Sequence, residues 1–149
     1  MDPGKLAHAT LLGTDLASDV RTESAIDAIV HATEGGAHGA LINAPSLSAF
    51  RQGVAMTRKR GTCVLVGVPP GDLSVSLFHV VVKCITICGS FVGTRQDMAE
   101  ALAFAAKGKV KADVELQPLS ASNAVLHRLE HGAVGSRVVI DFASSTSAM

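Results

Sequence analysis

Apolar positions along this chain switch between a helical spacing and short continuous runs, and the switch recurs from one end to the other. Lys5 to Leu12 has helical composition and stops at Gly13, a residue suited to the left-handed end of a helix. Between about Thr22 and Thr33, Ile26, Ile29 and Val30 form one stripe at i, i+3, i+4, with Glu23 and Asp27 elsewhere on the surface, which predicts a second helix. Gly35-Gly36-Ala37-His38-Gly39 breaks the pattern, and Ala40 to Ala44 reads as a five-residue strand before Pro45. Ser46 is placed to cap a third helix from Leu47 to about Lys59, carrying Phe50, Val54 and Met56 and ending at Gly61.

Thr62-Cys63-Val64-Leu65-Val66-Gly67 is continuously apolar and β-branched, as a strand covered on both faces should be. It enters a hard turn at Val68-Pro69-Pro70-Gly71-Asp72. After a short apolar segment, Cys84 to Cys88 gives another strand ending at Gly89. Asp97 to Lys107 reads as an amphipathic helix with Met98, Ala101, Leu102 and Ala105 inward and a stop at Gly108. Strands at Val110 to Leu116 and Arg137 to Phe142 flank a helix from about Ser120 to His131, and the small-residue tail, Ala143 to Met149, is expected to fray. Strands alternating with helices of these lengths predict an α/β layered fold with right-handed crossovers.

Composition sharpens that picture. Of the 149 residues 48% are hydrophobic, which excludes a disordered chain, yet the five aromatic residues are all Phe. The interior must therefore be built from Val, Ile, Leu and Ala, the residues of a doubly covered parallel sheet. Thirteen basic and thirteen acidic residues balance to zero net charge, so neither nucleic acid nor a membrane surface is an expected partner. The start, Met1 to Lys5, lacks the pattern of a signal peptide, and no apolar run reaches the roughly 20 residues that cross a bilayer. A cytoplasmic location with three reduced, buried thiols, Cys63, Cys84 and Cys88, is the expectation.

Candidate chemistry is sparse. A phosphate-binding glycine turn must follow a strand and open a helix, whereas Gly35 to Gly39 follows a helix and opens a strand, so a structural turn is the favoured reading. Cys84 and Cys88, four apart on one strand, would lie about 13 Å from each other, too far to share an ion. His127 and His131 flank Glu130 at i, i+4, but an inverted zinc-protease motif needs a further ligand and a cleft; a solvated helix face is expected. Arg58-Lys59-Arg60 and the alternating Lys107, Lys109 and Lys111 are read as solvating helix ends and a strand edge. No autonomous catalytic group emerges from the residues alone.

Four blocks carry a resemblance: Gly35 to Gly39, Gly61 to Asp72, Gly89-Ser90-Phe91-Val92-Gly93-Thr94-Arg95-Gln96-Asp97, and Arg137 to Phe142. In order and spacing they resemble the zinc-dependent medium-chain alcohol dehydrogenases of bacterial and yeast type, and with Asp2 to Leu6 and Leu12 to Asp15 the likeness runs to Phe142. It implies an α/β fold: a partial Rossmann-like parallel sheet with flanking helices that lacks the first two strands, followed by C-terminal strands of the family's catalytic domain. The implied divisions are a partial NAD(P)-binding domain over 1–93, a C-terminal helix and strand segment over 94–142, and a tail over 143–149. In the family's strand order, 3-2-1-4-5-6, the segment Asp15 to Val20 would either pair with Ala40 to Ala44 or stay loose.

The resemblance also implies cofactor contacts. Lys5 matches a lysine that reaches the adenosine ribose, whereas Asp2 lies past the position of the ribose-binding acid. Asn43 and Ala44 match the stretch beside the nicotinamide half of NAD. Val66 and Val68 match residues facing the nicotinamide ring and substrate pocket, although plain strand core is their alternative role. Ser90 and Val92 match backbone partners of the carboxamide, and Arg137 matches the arginine that pairs with the pyrophosphate. The family's zinc ligands and its Gly-x-Gly-x-x-Gly turn have no counterparts here. The implied activity is hydride transfer between a small alcohol or aldehyde and NAD, with the stretch by itself catalytically incomplete; a non-catalytic oligomerising or regulatory fragment with residual nucleotide binding is the alternative. The segment Ile85 to Phe91 matches the strand that pairs across a two-fold axis, implying a homo-oligomer or association with a full-length homologue.

Overall fold

The computed structural model describes residues 3–19 and 24–143, so Asp2, Val20, Thr22, Glu23 and residues 144–149 of the tail lie outside the described residues. The chain divides into two compact units, one up to Val92 and one from Gly93.

The first unit holds a parallel sheet of three strands in the order β1 (Ala37–Ile42), β2 (Thr57–Leu65), β3 (Thr86–Gly89). Its helices are α1 (Pro3–Leu11), α2 (Ala25–Ala32), α3 (Leu47–Met56) and α4 (Leu77–Lys83). Gly13, with φ +96°, lies just beyond α1 as the sequence suggests, and Ser24 caps α2 by accepting a hydrogen bond from the Asp27 amide at 3.3 Å. Ala40, Val54 and Cys63 form the buried centre, with Ile42, Leu65, Val75, Val80 and Ile87 packed around it, so the core lies where α3 and α4 meet the sheet. Phe50, 4% exposed, is a further buried side chain on α3. Residues 15–19 form no strand, and β1 pairs only with β2 among the described residues, so the pairing of that segment with Ala40 to Ala44 is not observed.

Several boundaries differ from the sequence reading for identifiable reasons. β1 begins at Ala37, so only Gly35 and Gly36, at φ +126° and +114°, serve as the turn. The third helix stops at Met56 rather than near Lys59. There the Thr57 hydroxyl, wholly buried, donates to the Gly53 carbonyl at 2.7 Å while its backbone turns extended and pairs with Ala37. The Lys83 ammonium donates to the carbonyls of Thr57 at 3.2 Å and Ala55 at 3.5 Å, placing a cation at the negative end of α3. Arg58, Lys59 and Arg60 therefore belong to the irregular start of β2, where the register jumps from Ala37 opposite Thr57 to Gly39 opposite Thr62.

The short apolar segment before β3 is helix α4, despite its run of Val80, Val81 and Val82. Ser76 caps its start through the His79 amide, and Cys84 closes it in the left-handed conformation. Cys84 consequently is not on the strand with Cys88, and both thiols are exposed; only Cys63 is buried, and burial pushes its thiol above the ordinary range.

In the second unit, α5 (Arg95–Ala106) is followed by β4 (Val114–Pro118), a 3-10 turn at Leu119–Ala121, α6 (Ser122–Glu130) and β5 (Arg137–Asp141), with β4 and β5 parallel. Thr94 and Asp97 make a reciprocal capping box on α5, and the Thr94 backbone and hydroxyl bonds hold the Asp97 carboxyl below its usual range. Met98, Ala101, Leu102 and Ala105 do not face inward: α5 buries none of its residues, and Val125 on α6 is the one buried residue described in this unit. The helical stripe is real, but this unit offers it no surface to pack against.

Arg128 on α6 grips Glu115 on β4 through two hydrogen bonds of 2.8 and 3.0 Å, and the Gln117 amide adds a third donor at 2.7 Å. The Arg128 guanidinium, helped by Gln117, holds the Glu115 carboxyl down at about 2. A depressed carboxyl favours the folded state while ionised, so this contribution is complete above the ordinary range near pH 4.3 and is lost as pH falls toward 2. A carbon-detected NMR titration of Glu115 is expected to show that low midpoint, and Arg128→Gln to return it toward the ordinary value. An unchanged midpoint in the variant would refute the assignment.

Candidate functional site

Parallel strands place their carboxyl ends on one edge of a sheet, and a crevice there is where open α/β sheets bind ligands. Here Ile42, Leu65 and Gly89 are aligned across β1, β2 and β3 as partners in register. The residues immediately beyond them therefore leave the sheet side by side: Asn43 and Ala44, Val66 to Val68, and Ser90 to Val92. Three backbone bonds tie these exits together. The Val66 and Gly67 amides both donate to the Ile42 carbonyl, at 3.0 and 2.9 Å, and the Ser90 amide donates to the Leu65 carbonyl at 2.9 Å.

Gly67 permits the closest approach at this edge. A β-carbon there would lie 2.6 Å from the Ala44 carbonyl oxygen, so only glycine lets the exits from β1 and β2 run against each other. Sequence reasoning marked Gly67 merely as the end of a strand; its position after a β-branched run was the available signal.

Six of the eight residues singled out in the sequence, Asn43, Ala44, Val66, Val68, Ser90 and Val92, thus gather at one edge. Val66 is half-buried beyond the end of β2, but Val68 and Val92 are 77% and 86% exposed and do not serve as strand core. Val92 also has φ +42°, a left-handed conformation that is unusual for a β-branched side chain and of a kind that clusters at ligand sites. Nothing in its residue type announced this.

The other two stand apart in the chain. Lys5 lies half-buried on α1. Arg137 opens β5 in the second unit, exposed, with its amide donating to the Asp113 carbonyl at 3.1 Å. It lines a cavity of about 340 Å³ together with Ser136, Val125, Leu126 and Leu129. Among the described residues no group of three or more His, Cys, Asp or Glu side chains is arranged to hold a metal ion, and no helix is long and apolar enough to cross a membrane.

The chain is similar in sequence and fold to known proteins. An alcohol dehydrogenase of Rhizobium meliloti (strain 1021) is 45% identical over 139 residues, covering 93% of this chain and 41% of its own length. One from Geobacillus stearothermophilus is 42% identical over 136 residues, 91% of this chain and 40% of the relative. The solved structure of the alcohol dehydrogenase from the hyperthermophilic archaeon Aeropyrum pernix superposes with a TM-score of 0.87 at 28% identity, over 94% of this chain and 40% of that one. The chain thus spans about two fifths of the length of these relatives. The family model described as zinc-binding dehydrogenase matches residues 1–107, from α1 through the sheet edge and α5. With that match over most of its length and a partial Rossmann-like sheet, the chain belongs to the zinc-binding dehydrogenase family.

Proposed function

We propose that this chain supplies the coenzyme-positioning part of an NAD-dependent alcohol dehydrogenase acting in the cytoplasm on a small alcohol or aldehyde, with residues 1–93 as the incomplete NAD-binding domain and 94–142 as the C-terminal segment. The observation that carries this reading is the alignment of three parallel strand ends with Val68 and Val92 exposed beside the close approach at Gly67.

These residues fit the nicotinamide half of a dinucleotide. Val66 and Val68 present an apolar wall for a flat ring, the backbone of Ser90 to Val92, apart from the Ser90 amide engaged by the Leu65 carbonyl, offers donors and acceptors to a carboxamide, and Asn43 and Ala44 border the same edge. Lys5 and Arg137 are the cations assigned to the ribose and the pyrophosphate, the latter with a fork suited to phosphate oxygens. When bound, a nicotinamide coenzyme supplies hydride transfer to or from the alcohol carbon. The chain's own part is to orient the ring and keep water from one of its faces. The donor set for a catalytic or structural zinc does not fit: among the described residues no group of three or more His, Cys, Asp or Glu side chains could hold the ion.

The free edge of β3, which pairs only with β2 among the described residues, supports association with a second copy or with a longer homologue through Ile85 to Phe91.

One preparation of the 149-residue chain tests both parts. NAD titrated into labelled protein is expected to shift the amide resonances of Val66, Val68, Ser90 and Val92, with a dissociation constant weaker than about 10 μM and weakened several-fold further by Arg137→Ala. No alcohol-dependent NADH formation is expected from the chain alone. Shifts confined to other regions would defeat the coenzyme assignment, and a clean monomer by light scattering at micromolar concentration would defeat pairing through β3.

A further inference from the structure

His127 and His131 end α6 one turn apart, both exposed, with ring centroids 4.3 Å from each other and planes inclined by 30°. The Nδ1 atom of His131 is 2.8 Å from the His127 carbonyl oxygen. A carbonyl can only accept, so Nδ1 carries the proton and Nε2 keeps its lone pair directed away from the helix. The same contact fixes the ring's orientation, the role that an outer hydrogen bond plays for a metal-ligating histidine.

We propose that these two imidazoles form a surface site for one borderline divalent transition cation, such as Ni²⁺, Zn²⁺ or Cu²⁺, with water in its remaining positions. Two nitrogens each about 2.1 Å from one ion stand no more than about 4.2 Å apart, and with the His131 ring held by its bond to the His127 carbonyl, rotation of the exposed His127 side chain, 4.3 Å away between centroids, is what brings a second nitrogen to the ion. Imidazole is a suitable ligand for these metals. The negative end of the α6 dipole and the adjacent Glu130 carboxylate favour a cation there. Arg128, the cation next to His127 in the chain, is engaged on both terminal nitrogens by Glu115. With two protein ligands rather than three or four, the site is separate in kind from catalytic and structural zinc centres, and it does not depend on the proposed function.

Ni²⁺ is the probe, because Cu²⁺ would oxidise the exposed thiols of Cys84 and Cys88. Calorimetric titration of Ni²⁺ into the full chain is expected to show saturable one-to-one binding, weakened at least about tenfold by His127→Asn and by His131→Gln separately. Paramagnetic broadening should centre on residues 127–132. Unchanged affinity in both variants, no saturable binding, or broadening centred on His8, His31, His38 or His79 would overturn the proposal. Far-UV circular dichroism checks each variant, and should either unfold, the broadening map on the unsubstituted chain decides.

Discussion

Phe50→Ala is expected to cost about 3–5 kcal/mol and to unfold the first unit at modest denaturant concentration. Phe50 is 4% exposed on α3 and is the largest of the buried apolar side chains described; the others of that kind are Ala25, Ala40, Val54, Cys63, Ile85 and Val125. Small neighbours cannot move far enough to refill the space of a benzyl group, so most of the lost contact persists as a cavity. Urea unfolding of the variant beside the unsubstituted chain measures the cost. A loss under about 1 kcal/mol would mean that Phe50 is not buried as described.

Gly36→Ala carries the second large expected effect, about 2–4 kcal/mol, from two sources. The residue has φ +114°, a conformation L side chains rarely adopt, and its β-carbon would stand 2.5 Å from the Met56 carbonyl oxygen and 2.9 Å from the Arg58 amide nitrogen. Both obstacles are backbone at the junction of α3 and β2, where neither helix nor strand can yield without breaking its own hydrogen bonds. Gly39→Ala is the control, because nothing lies within 4 Å of its β-carbon and its φ is ordinary. A thermal melt should place Gly36→Ala well below the parent and Gly39→Ala close to it; similar melting of both would contradict the steric account.

The elements most legible in the sequence were those in which local preference and burial agree. Thr62 to Leu65 is β-branched and apolar, and it sits in the middle of the sheet. Ser46 stands at the N-cap of α3 as its position suggests, but its hydroxyl meets that of Ser48 at 2.8 Å and caps no amide; the side chains that do satisfy first-turn amides, Ser24 and Thr94, are not marked by the sequence pattern. Legibility failed where long-range packing outweighed local preference. Val80 to Val82 favours a strand, yet Ser76 and Cys84 close it into a helix whose Val80 packs on the core. Thr57 to Arg60 continues a helical spacing but is drawn into β2 by pairing with Ala37 and the buried Thr57 hydroxyl. The stripe on α5 spells out an inward face, and periodicity carries no information about which surface receives it.

For the candidate site, the strand positions were readable while the local geometry was not. By sequence pattern Asn43 and Val66 belong to the ends of their strands, whereas β1 stops at Ile42 and β2 at Leu65 and leaves both just beyond the sheet; neither the left-handed backbone of Val92 nor the contact between Gly67 and Ala44 follows from residue type. Individual coenzyme contacts rested on the resemblance, because no charged or nucleophilic cluster distinguishes the edge. A site formed largely by backbone groups leaves little trace in a single sequence.

Every pairing in both sheets is parallel, joining positions roughly two dozen residues apart such as Ile42 with Leu65, Leu65 with Gly89, and Val114 with Arg137. No strand can therefore zip to its neighbour as a local hairpin. The intervening helices must be gathered first, and the entropy of closing each loop is spent before any ladder bond repays it. The folding rate should consequently follow the docking of α3 and α4 more closely than the intrinsic preference of β2, leaving β1 and β3 open to other chains for as long as that docking takes.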